Sequence, residues 1–169
     1  MRQRGYFVRG SVLFLSCCML CISAWSQRCF KSIEEAKASG QCVECLDLSR
    51  KRLKKVPEEV LEFKDLKRLI LSRNHLSGDM SELSCLTNLR YLDLSSNYIE
   101  ELSPRLAVLR PDSLVMWDNP IRVLPEELSQ WDLRYLDLRA IQMNRKEQRA
   151  IKALFPKARI RLDHPCNCR

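Results

Sequence analysis

A leucine pattern recurs along this chain with a period of 22 or 23 residues. The stretch from Leu89 to Ile99 fits the template L-x-x-L-x-L-x-x-N-x-L, with isoleucine counted as leucine, and Leu66 to Leu76 fits it one period earlier. Weaker copies begin at Val43, Pro111 and Leu133. A repeat of this length is one supersecondary unit that cannot bury its apolar side alone, so the five units must stack on one another.

The second and third leucines of each copy are two residues apart, as at Leu92 and Leu94. This alternation predicts a short strand with one side turned inward. The five copies resemble the leucine-rich repeat family from Val43 to about Met143. The resemblance implies an α/β solenoid of about five repeats with a parallel concave sheet, and short helices are expected to cap both ends.

An asparagine follows the third leucine of the central copies, at Asn74, Asn97 and Asn119. The chain turns there inside the stack, where its backbone groups are buried and need partners. An asparagine side chain supplies both a donor and an acceptor. The sequence therefore predicts a ladder of three stacked asparagines. The terminal copies carry Lys51 and Ile141 instead, because they have a neighbour on one side only.

The stretch between strands has a pattern of its own, since Val56-Pro57-Glu58-Glu59 recurs as Leu124-Pro125-Glu126-Glu127. A proline followed by acidic residues predicts the start of a short helical segment. Val60 and Phe63 are expected to be inward residues of the first such segment.

Helix signals flank the repeats. Ser32 and Glu35 have capping-box spacing and predict a helix from about Ile33 to Ala38. A second helix is predicted to begin at Asn144 and to end at Pro156. The alternation from Ala158 to Leu162 then predicts a final strand. This ending, with its Cys-x-Cys tail, resembles small exported bacterial leucine-rich repeat proteins.

The N-terminus reads as a secretory signal. Three arginines precede an apolar run, and Ala24-Trp25-Ser26 places small residues at the positions that signal peptidase inspects. Cleavage after Ser26 would remove three positive charges from a net charge of +8. The alternatives are an uncleaved membrane anchor and lipidation at Cys17, Cys18 or Cys21.

Four segments follow from these signals. Residues 1–26 are predicted as the signal peptide, 27–41 as the N-terminal cap, 42–143 as the repeats, and 144–169 as the C-terminal cap helix, strand and Cys-x-Cys tail. The expected location is outside the cell or in the periplasm and envelope. Contact with a membrane is expected only through an uncleaved or lipidated N-terminus.

An exported chain meets an oxidising compartment, so its cysteines are expected to form disulfides. Cys29 is close enough in sequence to pair with Cys42 or Cys45 and so tie the cap to the first repeat. The tail adds Cys166 and Cys168 as further candidates. Cys85 lies beside inward leucines and is predicted to be a buried free thiol.

Catalytic chemistry is not expected. A four-cysteine zinc site would need the first strand and the tail to meet, yet four strand intervals separate them by about 19 Å. The pair Cys42-x-x-Cys45 leads into a strand, not a helix N-terminus, which argues against a thiol oxidoreductase. No Ser/His/Asp set or glycine-rich phosphate loop is present, so we expect no enzyme activity, metal or cofactor.

A dense charge run, Arg50-Lys51-Arg52-Leu53-Lys54-Lys55, lies at the turn of the first repeat. It is typical of a contact for anionic polymer or lipid, or simply of a solvated turn. Export argues against nucleic acid. An envelope-associated structural protein that uses this turn is the alternative to the function below.

The outward strand residues should line one face of the sheet, with Cys45 at the start of one row and the Trp117 ring exposed on the same face. Aromatic and arginine side chains on that face are of the types that anchor protein interfaces, although such residues also stabilise sheets without any ligand. The residues predicted to bind a partner are Arg68, Tyr91, Asp93, Trp117, Tyr135, Asp137 and Arg139. The resemblance implies a non-catalytic protein-binding module, and neither its partner nor its oligomeric state follows from the sequence.

Overall fold

The computed structural model describes residues 29–165. Six parallel strands form one sheet in chain order, which confirms the predicted solenoid. They are β1 (Cys45–Asp47), β2 (Arg68–Ile70), β3 (Tyr91–Asp93), β4 (Ser113–Val115), β5 (Tyr135–Asp137) and β6 (Arg159–Arg161). The predicted signal peptide, and the tail with Cys166 and Cys168, lie outside the described residues.

The inward leucines stack in register from strand to strand. Leu46 pairs with Leu69, Leu69 with Leu92, and the same step continues through Leu114 and Leu136. All five side chains are buried, with at most 1% of their surface exposed. Each repeat therefore covers the apolar side of its neighbour, and the core runs the length of the sheet.

A short 3₁₀ helix follows each of the first four strands. These helices span Glu58–Glu62, Ser81–Cys85, Pro104–Val108 and Glu126–Gln130. Pro57 and Pro125 immediately precede two of them, as the repeated proline motif predicts. Val60 is fully buried, whereas Phe63 is only partly buried.

The N-terminal cap is tied to the first strand. Helix α1 spans Ile33–Ala38, the predicted bounds, and the Ser32 hydroxyl accepts a hydrogen bond from the Glu35 amide at 3.1 Å. Phe30 bridges to Leu46 in the parallel sense and joins the core. Phe30 and α1, which we call the N-terminal lid, thus cover the apolar end of the core that would otherwise be exposed at β1.

The C-terminal cap combines a helix and a strand. Helix α2 spans Arg145–Leu154, and Asn144 and Glu147 form a reciprocal capping box. Strand β6 then returns to pair with β5, so the sheet has one more strand than it has leucine repeats. Phe155 ends the helix and lies 6.4 Å from the Trp131 ring, which closes this end of the core.

The predicted asparagine ladder is present. Asn97 accepts a hydrogen bond from the Leu76 amide at 3.0 Å and donates to the carbonyls of Leu71 at 3.1 Å and Leu94 at 2.9 Å. Asn74 and Asn119 make the same contacts one repeat away on either side. Each asparagine therefore joins its own repeat to the preceding one.

The residue before each ladder position has left-handed backbone, a feature that the sequence did not reveal. The values of φ lie between 51° and 60°. The five residues are Arg50, Arg73, Ser96, Asp118 and Ala140. None of the five is glycine. The stacked hydrogen bonds of the turn stabilise a backbone conformation that residues other than glycine rarely adopt.

Within the described part of the chain, no helix combines the length and apolar character needed to cross a membrane.

Candidate protein-binding face

The outward side chains of the six strands, with the residue two places beyond β3, β4 and β5, make one surface, which we call the sheet face. Strand pairing aligns these side chains in rows. The first row is Cys45, Arg68, Tyr91, Ser113, Tyr135 and Arg159, and the second is Asp47, Ile70, Asp93, Val115, Asp137 and Arg161. The predicted binding residues therefore share one surface.

Arg68 and Tyr91 form a pair at the N-terminal half of the sheet face. The Arg68 guanidinium carbon lies 4.1 Å from the centre of the Tyr91 ring. Arg68 is exposed, while Tyr91 is half-buried. Burial, followed by the charge of Asp93, raises the pKa of Tyr91 above its usual value. The tyrosine thus presents a neutral hydroxyl beneath a cation that faces solvent.

Asp93 stabilises its own turn. Its Oδ1 accepts hydrogen bonds from the Ser95 amide at 2.9 Å and the Ser95 hydroxyl at 2.6 Å. Asp47 does the same for the Ser49 amide at 3.0 Å and also pairs with Lys31. Short acidic side chains commonly close turns in this way. The other carboxylate oxygen of Asp93 has no protein donor among the described residues.

Asp137 is the buried member of the set, with 2% of its surface exposed. Arg139 donates to it from Nε at 2.9 Å and Nη2 at 2.8 Å, and the Tyr135 hydroxyl donates at 3.0 Å. Burial acts to raise the pKa of Asp137, but these hydrogen bonds outweigh it and hold the pKa below its usual value. The buried Asp137 carboxylate therefore fixes the orientation of the Tyr135 and Arg139 side chains, which lie closer to the surface.

Replacing Asp137 with asparagine is expected to lower the free energy of unfolding by about 1–2 kcal/mol near pH 7, because charge-assisted hydrogen bonds are lost. A depressed pKa stabilises the fold above the unfolded-state value of about 3.9, and this stabilisation disappears as pH falls through the folded-state pKa. Urea unfolding at neutral and acidic pH should therefore show the difference between the two proteins shrinking below about pH 4. A difference that is constant with pH would contradict this role.

Trp117 is half-buried, whereas its place in the repeat predicted an exposed ring. Its carbonyl accepts from the Ser96 amide at 2.9 Å, which fixes the backbone against the preceding repeat. Val115, two residues earlier and on the same side of the sheet, is buried. Ile70, in the same row as Val115, is half-buried. The sheet face thus has an apolar centre that presents part of the indole.

Arg159 and Arg161 complete the C-terminal end of the sheet face. They stand opposite Tyr135 and Asp137 across the β5–β6 pair, and both are exposed. Neither forms an ion pair within residues 29–165. The alternation from Ala158 to Leu162 predicted the strand, but a strand without leucine spacing gave no signal of which sheet edge it would join.

Comparison with known proteins agrees with this architecture. The sequence profile described as leucine rich repeat matches residues 43–105. The chain belongs to the leucine-rich repeat family.

Two solved structures show the extent of the likeness. Internalin C2 from Listeria monocytogenes superposes with a TM-score of 0.62 at 25% identity, over 79% of this chain and 57% of that one. The ectodomain of the Arabidopsis thaliana receptor kinase GASSHO1/SCHENGEN3, in complex with CASPARIAN STRIP INTEGRITY FACTOR 2, superposes with a TM-score of 0.58 at 28% identity. That match covers 74% of this chain and 16% of the ectodomain.

Among curated sequences, oligodendrocyte-myelin glycoprotein from Mus musculus is 31% identical over 134 residues. The match takes in 75% of this chain but only 26% of the glycoprotein. This leucine-rich repeat protein therefore spans about a quarter of the length of that relative.

The cysteines differ in part from expectation. Cys45, placed in the outward row by its spacing, is buried because it forms a disulfide with Cys29. This is one of the two pairings that the sequence left open. Cys85 is an exposed free thiol, so the prediction of burial was wrong. The neighbours Leu83 and Leu86 fill the core, and the short 3₁₀ helix points Cys85 outward.

Groups suited to catalysis do not converge on the sheet face. The described residues contain no cluster of three His, Cys, Asp or Glu side chains that could hold a metal ion. His75 follows the second strand and His164 lies in the C-terminal cap beyond the sixth, and both are exposed. Leucine-rich repeat folds are typically non-enzymatic.

Proposed function

We propose that this protein is a non-catalytic binding module that holds a protein partner against the sheet face. Leucine-rich repeat proteins are generally protein-interaction modules. The observation that carries the proposal is the layered arrangement at the C-terminal half, where buried Asp137 orients Tyr135 and Arg139 beside the half-buried Trp117. Aromatic and arginine side chains held in place are the usual anchors of protein interfaces.

Rigidity supports the proposal. The face is built on strands, and its side chains are restrained by hydrogen bonds within the chain, such as those between Asp93 and Ser95. Each side chain that is already ordered before binding saves about 0.5–1.5 kcal/mol of ordering cost. A partner would therefore retain more of its contact energy than it would against a mobile loop.

Charge indicates what kind of partner fits. The outward cations of the face, Arg68, Arg159 and Arg161, are exposed, while Asp137 is buried beneath Arg139. Apart from Asp93 and the Lys31-paired Asp47, the charges of the layer that meets a partner are thus cationic, around an apolar centre. Guanidinium groups bind carboxylates through two parallel hydrogen bonds. We infer that the partner presents acidic residues around an apolar patch.

Relatives support the same use of the fold. The receptor kinase ectodomain was solved in complex with CASPARIAN STRIP INTEGRITY FACTOR 2, so a leucine-rich repeat ectodomain of similar fold forms a complex with another molecule. An ectodomain and a glycoprotein among the matches are in keeping with an exported chain. We accordingly propose export, with cleavage after Ser26, and the segment bounds given above.

The main test is Trp117→Ala. We expect it to weaken partner binding by about 2 kcal/mol or more, which is the size of a hot-spot truncation. The partner is first captured with the full chain and then measured directly by calorimetry. Tyr98→Ala is the matched control, because Tyr98 is an exposed aromatic residue that lies off the sheet face.

The competing explanation is that Trp117 serves the sheet alone. In that case Trp117→Ala would lower the midpoint of urea unfolding, while the folded fraction would bind its partner with unchanged affinity. Loss of affinity with a retained unfolding midpoint supports the proposal. Equal loss of affinity in Trp117→Ala and Tyr98→Ala would reject the sheet face as the binding surface.

The two alternative functions stand differently against the structure. A thiol oxidoreductase at Cys42-x-x-Cys45 has no support, because Cys45 pairs with Cys29 and begins a strand. The basic turn at the first repeat is a separate surface.

A further inference from the structure

A second surface lies at the edge of the sheet where the first two strands end. Six cationic side chains are exposed there, and none of them forms an ion pair with the described residues. They are Arg50, Lys51, Arg52, Lys54, Lys55 and Arg73, and we call them the basic edge. Arg73 lies one repeat along from Arg50, whose amide donates to Ser72 at 3.1 Å.

The side-chain charges of the run do not hold this turn together. The turn is held by its backbone amides, since those of Lys51 and Leu53 donate to the side-chain oxygen of Asn74 at 2.9 and 3.1 Å. Only Leu53 within the run packs against the core. Like charges this close repel one another, so their concentration costs some stability. Glu58 and Glu59 follow the run but pair with none of its members.

Arg52 adds backbone strain. Its φ is 58°, whereas its counterparts in the next repeats, His75 and Tyr98, are not among the residues with positive φ. The left-handed conformation of Arg52 is thus special to this turn and is not imposed by the repeat. Glycine or asparagine would adopt it at lower cost. Strain of this kind is typical of a side chain that is kept for binding.

An exposed aromatic pair continues the edge. His75 and Tyr98 stack with their ring centres 5.8 Å apart and their planes 25° apart. Both are exposed, Tyr98 with 61% of its surface. The His75 amide donates to the Leu53 carbonyl at 2.8 Å, and the Tyr98 amide donates to the Leu76 carbonyl at 2.9 Å. His75 and Tyr98 therefore occupy the position of Arg52 in the next two repeats. The track from Arg52 to Tyr98 is about 10 Å long, from two strand intervals.

We propose that the basic edge, together with His75 and Tyr98, binds an anionic polysaccharide. Sulfate or carboxylate groups of the polymer contact the cations, and apolar faces of its sugar rings lie on the aromatic pair, whose polar tips meet the hydroxyls. A linear polymer carries charge at regular intervals, so it can engage several turns at once and gain from multivalency. The site is independent of the sheet face.

Other anionic macromolecules fit less well. The Cys29–Cys45 disulfide at the adjoining strand is typical of an oxidising compartment, where nucleic acid is an uncommon partner. A bilayer would favour large apolar side chains next to the cations. Within residues 29–165, the exposed large hydrophobic residues besides Tyr98 are Val108 and Val123, which belong to later repeats. Both alternatives are outcomes of the test below.

The test compares two triple variants of the full chain. Arg52→Asn, Lys54→Gln and Lys55→Gln together remove three charges from the basic edge, and asparagine tolerates the backbone of Arg52. Lys146→Gln, Arg149→Gln and Lys152→Gln together remove the same charge from exposed positions of α2. Binding to dextran sulfate and to polygalacturonate is measured over a range of salt concentrations. Neutral dextran, phosphatidylserine-containing vesicles and single-stranded oligothymidylate serve as comparison ligands.

We expect the basic-edge triple to lose at least about tenfold in affinity for one of the acidic polysaccharides, with a shallower salt dependence. The α2 triple should lose less than about threefold. Tyr98→Ala should weaken polysaccharide binding at high salt too, where charge contacts are screened, and Trp117→Ala should leave it unchanged. Thermal unfolding of each variant verifies that it is folded.

Three results would overturn the proposal. Equal losses in the two triples would show a response to net charge alone. Binding to vesicles or oligothymidylate with none to either acidic polysaccharide would assign the edge to a membrane or to nucleic acid. Absence of binding to every anionic ligand would leave the basic turn as a solvated surface. None of these results bears on the sheet face, which is tested with its own partner and variant.

Discussion

Replacing Asn97 with leucine is expected to lower the free energy of unfolding by about 3 kcal/mol or more, because several buried backbone groups lose their partners at once. The side chain is 5% exposed and satisfies the Leu76 amide together with the carbonyls of Leu71 and Leu94. Each buried group left without a partner costs about 1–3 kcal/mol. Leucine has similar bulk but can supply no donor or acceptor. Urea unfolding at neutral pH measures the loss.

Asn88→Leu is the matched control. Asn88 is exposed, and its side chain donates one hydrogen bond to the Lys64 carbonyl at 2.9 Å. Water can replace that bond, so we expect a loss below about 1 kcal/mol. If Asn97→Leu cost no more than Asn88→Leu, the ladder would not hold the repeats together. A change in the slope of unfolding with urea would instead point to partial unfolding of the stack.

The ladder explains why so much of the fold could be predicted. The spacing of Leu92, Leu94 and Asn97 predicts three features of one repeat: a strand, the side of that strand that faces the core, and a turn whose backbone needs a side-chain partner. Near-constant periodicity then dictates the register, because each unit must place its leucines on those of its neighbour. Local signals sufficed at the ends as well, since Ser32 and Asn144 are read directly as helix caps.

Features that depend on contacts between distant segments were not predictable. The final strand carries no leucine spacing, so nothing local showed that Arg159 and Arg161 would extend the sheet face. Burial of Trp117 depends on the packing of its neighbours, while its own position predicted exposure. The left-handed backbone of Ala140 is held by the stack and has no signature in an alanine.

The predicted binding residues illustrate the same division. Periodicity brought Tyr91, Tyr135 and Arg139 to one surface, and the structure has them there. It could not tell that Asp137 lies beneath Arg139, because exposure depends on which of two neighbouring side chains covers the other. A pattern thus predicts which residues share a face but not which of them a partner can touch.

Removing the Cys29–Cys45 disulfide is expected to lower the free energy of unfolding by about 3 kcal/mol. The bond closes a loop with a sequence separation of 16 residues. A crosslink of that span restricts the unfolded chain by about 3 kcal/mol. The change is Cys29→Ser with Cys45→Ala, made together so that neither cysteine is left to pair elsewhere. Alanine suits position 45 because that side chain is buried.

The loss should be felt most at the N-terminal lid. The disulfide adjoins Phe30, whose amide donates to the Cys45 carbonyl at 3.1 Å and whose carbonyl accepts from Asp47 at 2.8 Å. Without the crosslink these hydrogen bonds must hold the lid over Leu46 alone. Hydrogen exchange should therefore accelerate from Phe30 through α1, while the amides of β3 keep their protection, because solenoid repeats contact only their neighbours.

Cys85→Ser is the control for this variant, because Cys85 is an exposed free thiol whose replacement should leave unfolding unchanged. Uniform acceleration of exchange across all six strands would mean that the lid and the repeats unfold as one cooperative unit, contrary to the expectation. A loss confined to the lid would show that the crosslink protects the open end of the core. Since β1 begins at Cys45 and the basic turn follows it, such fraying would also loosen the basic edge before it reached β3.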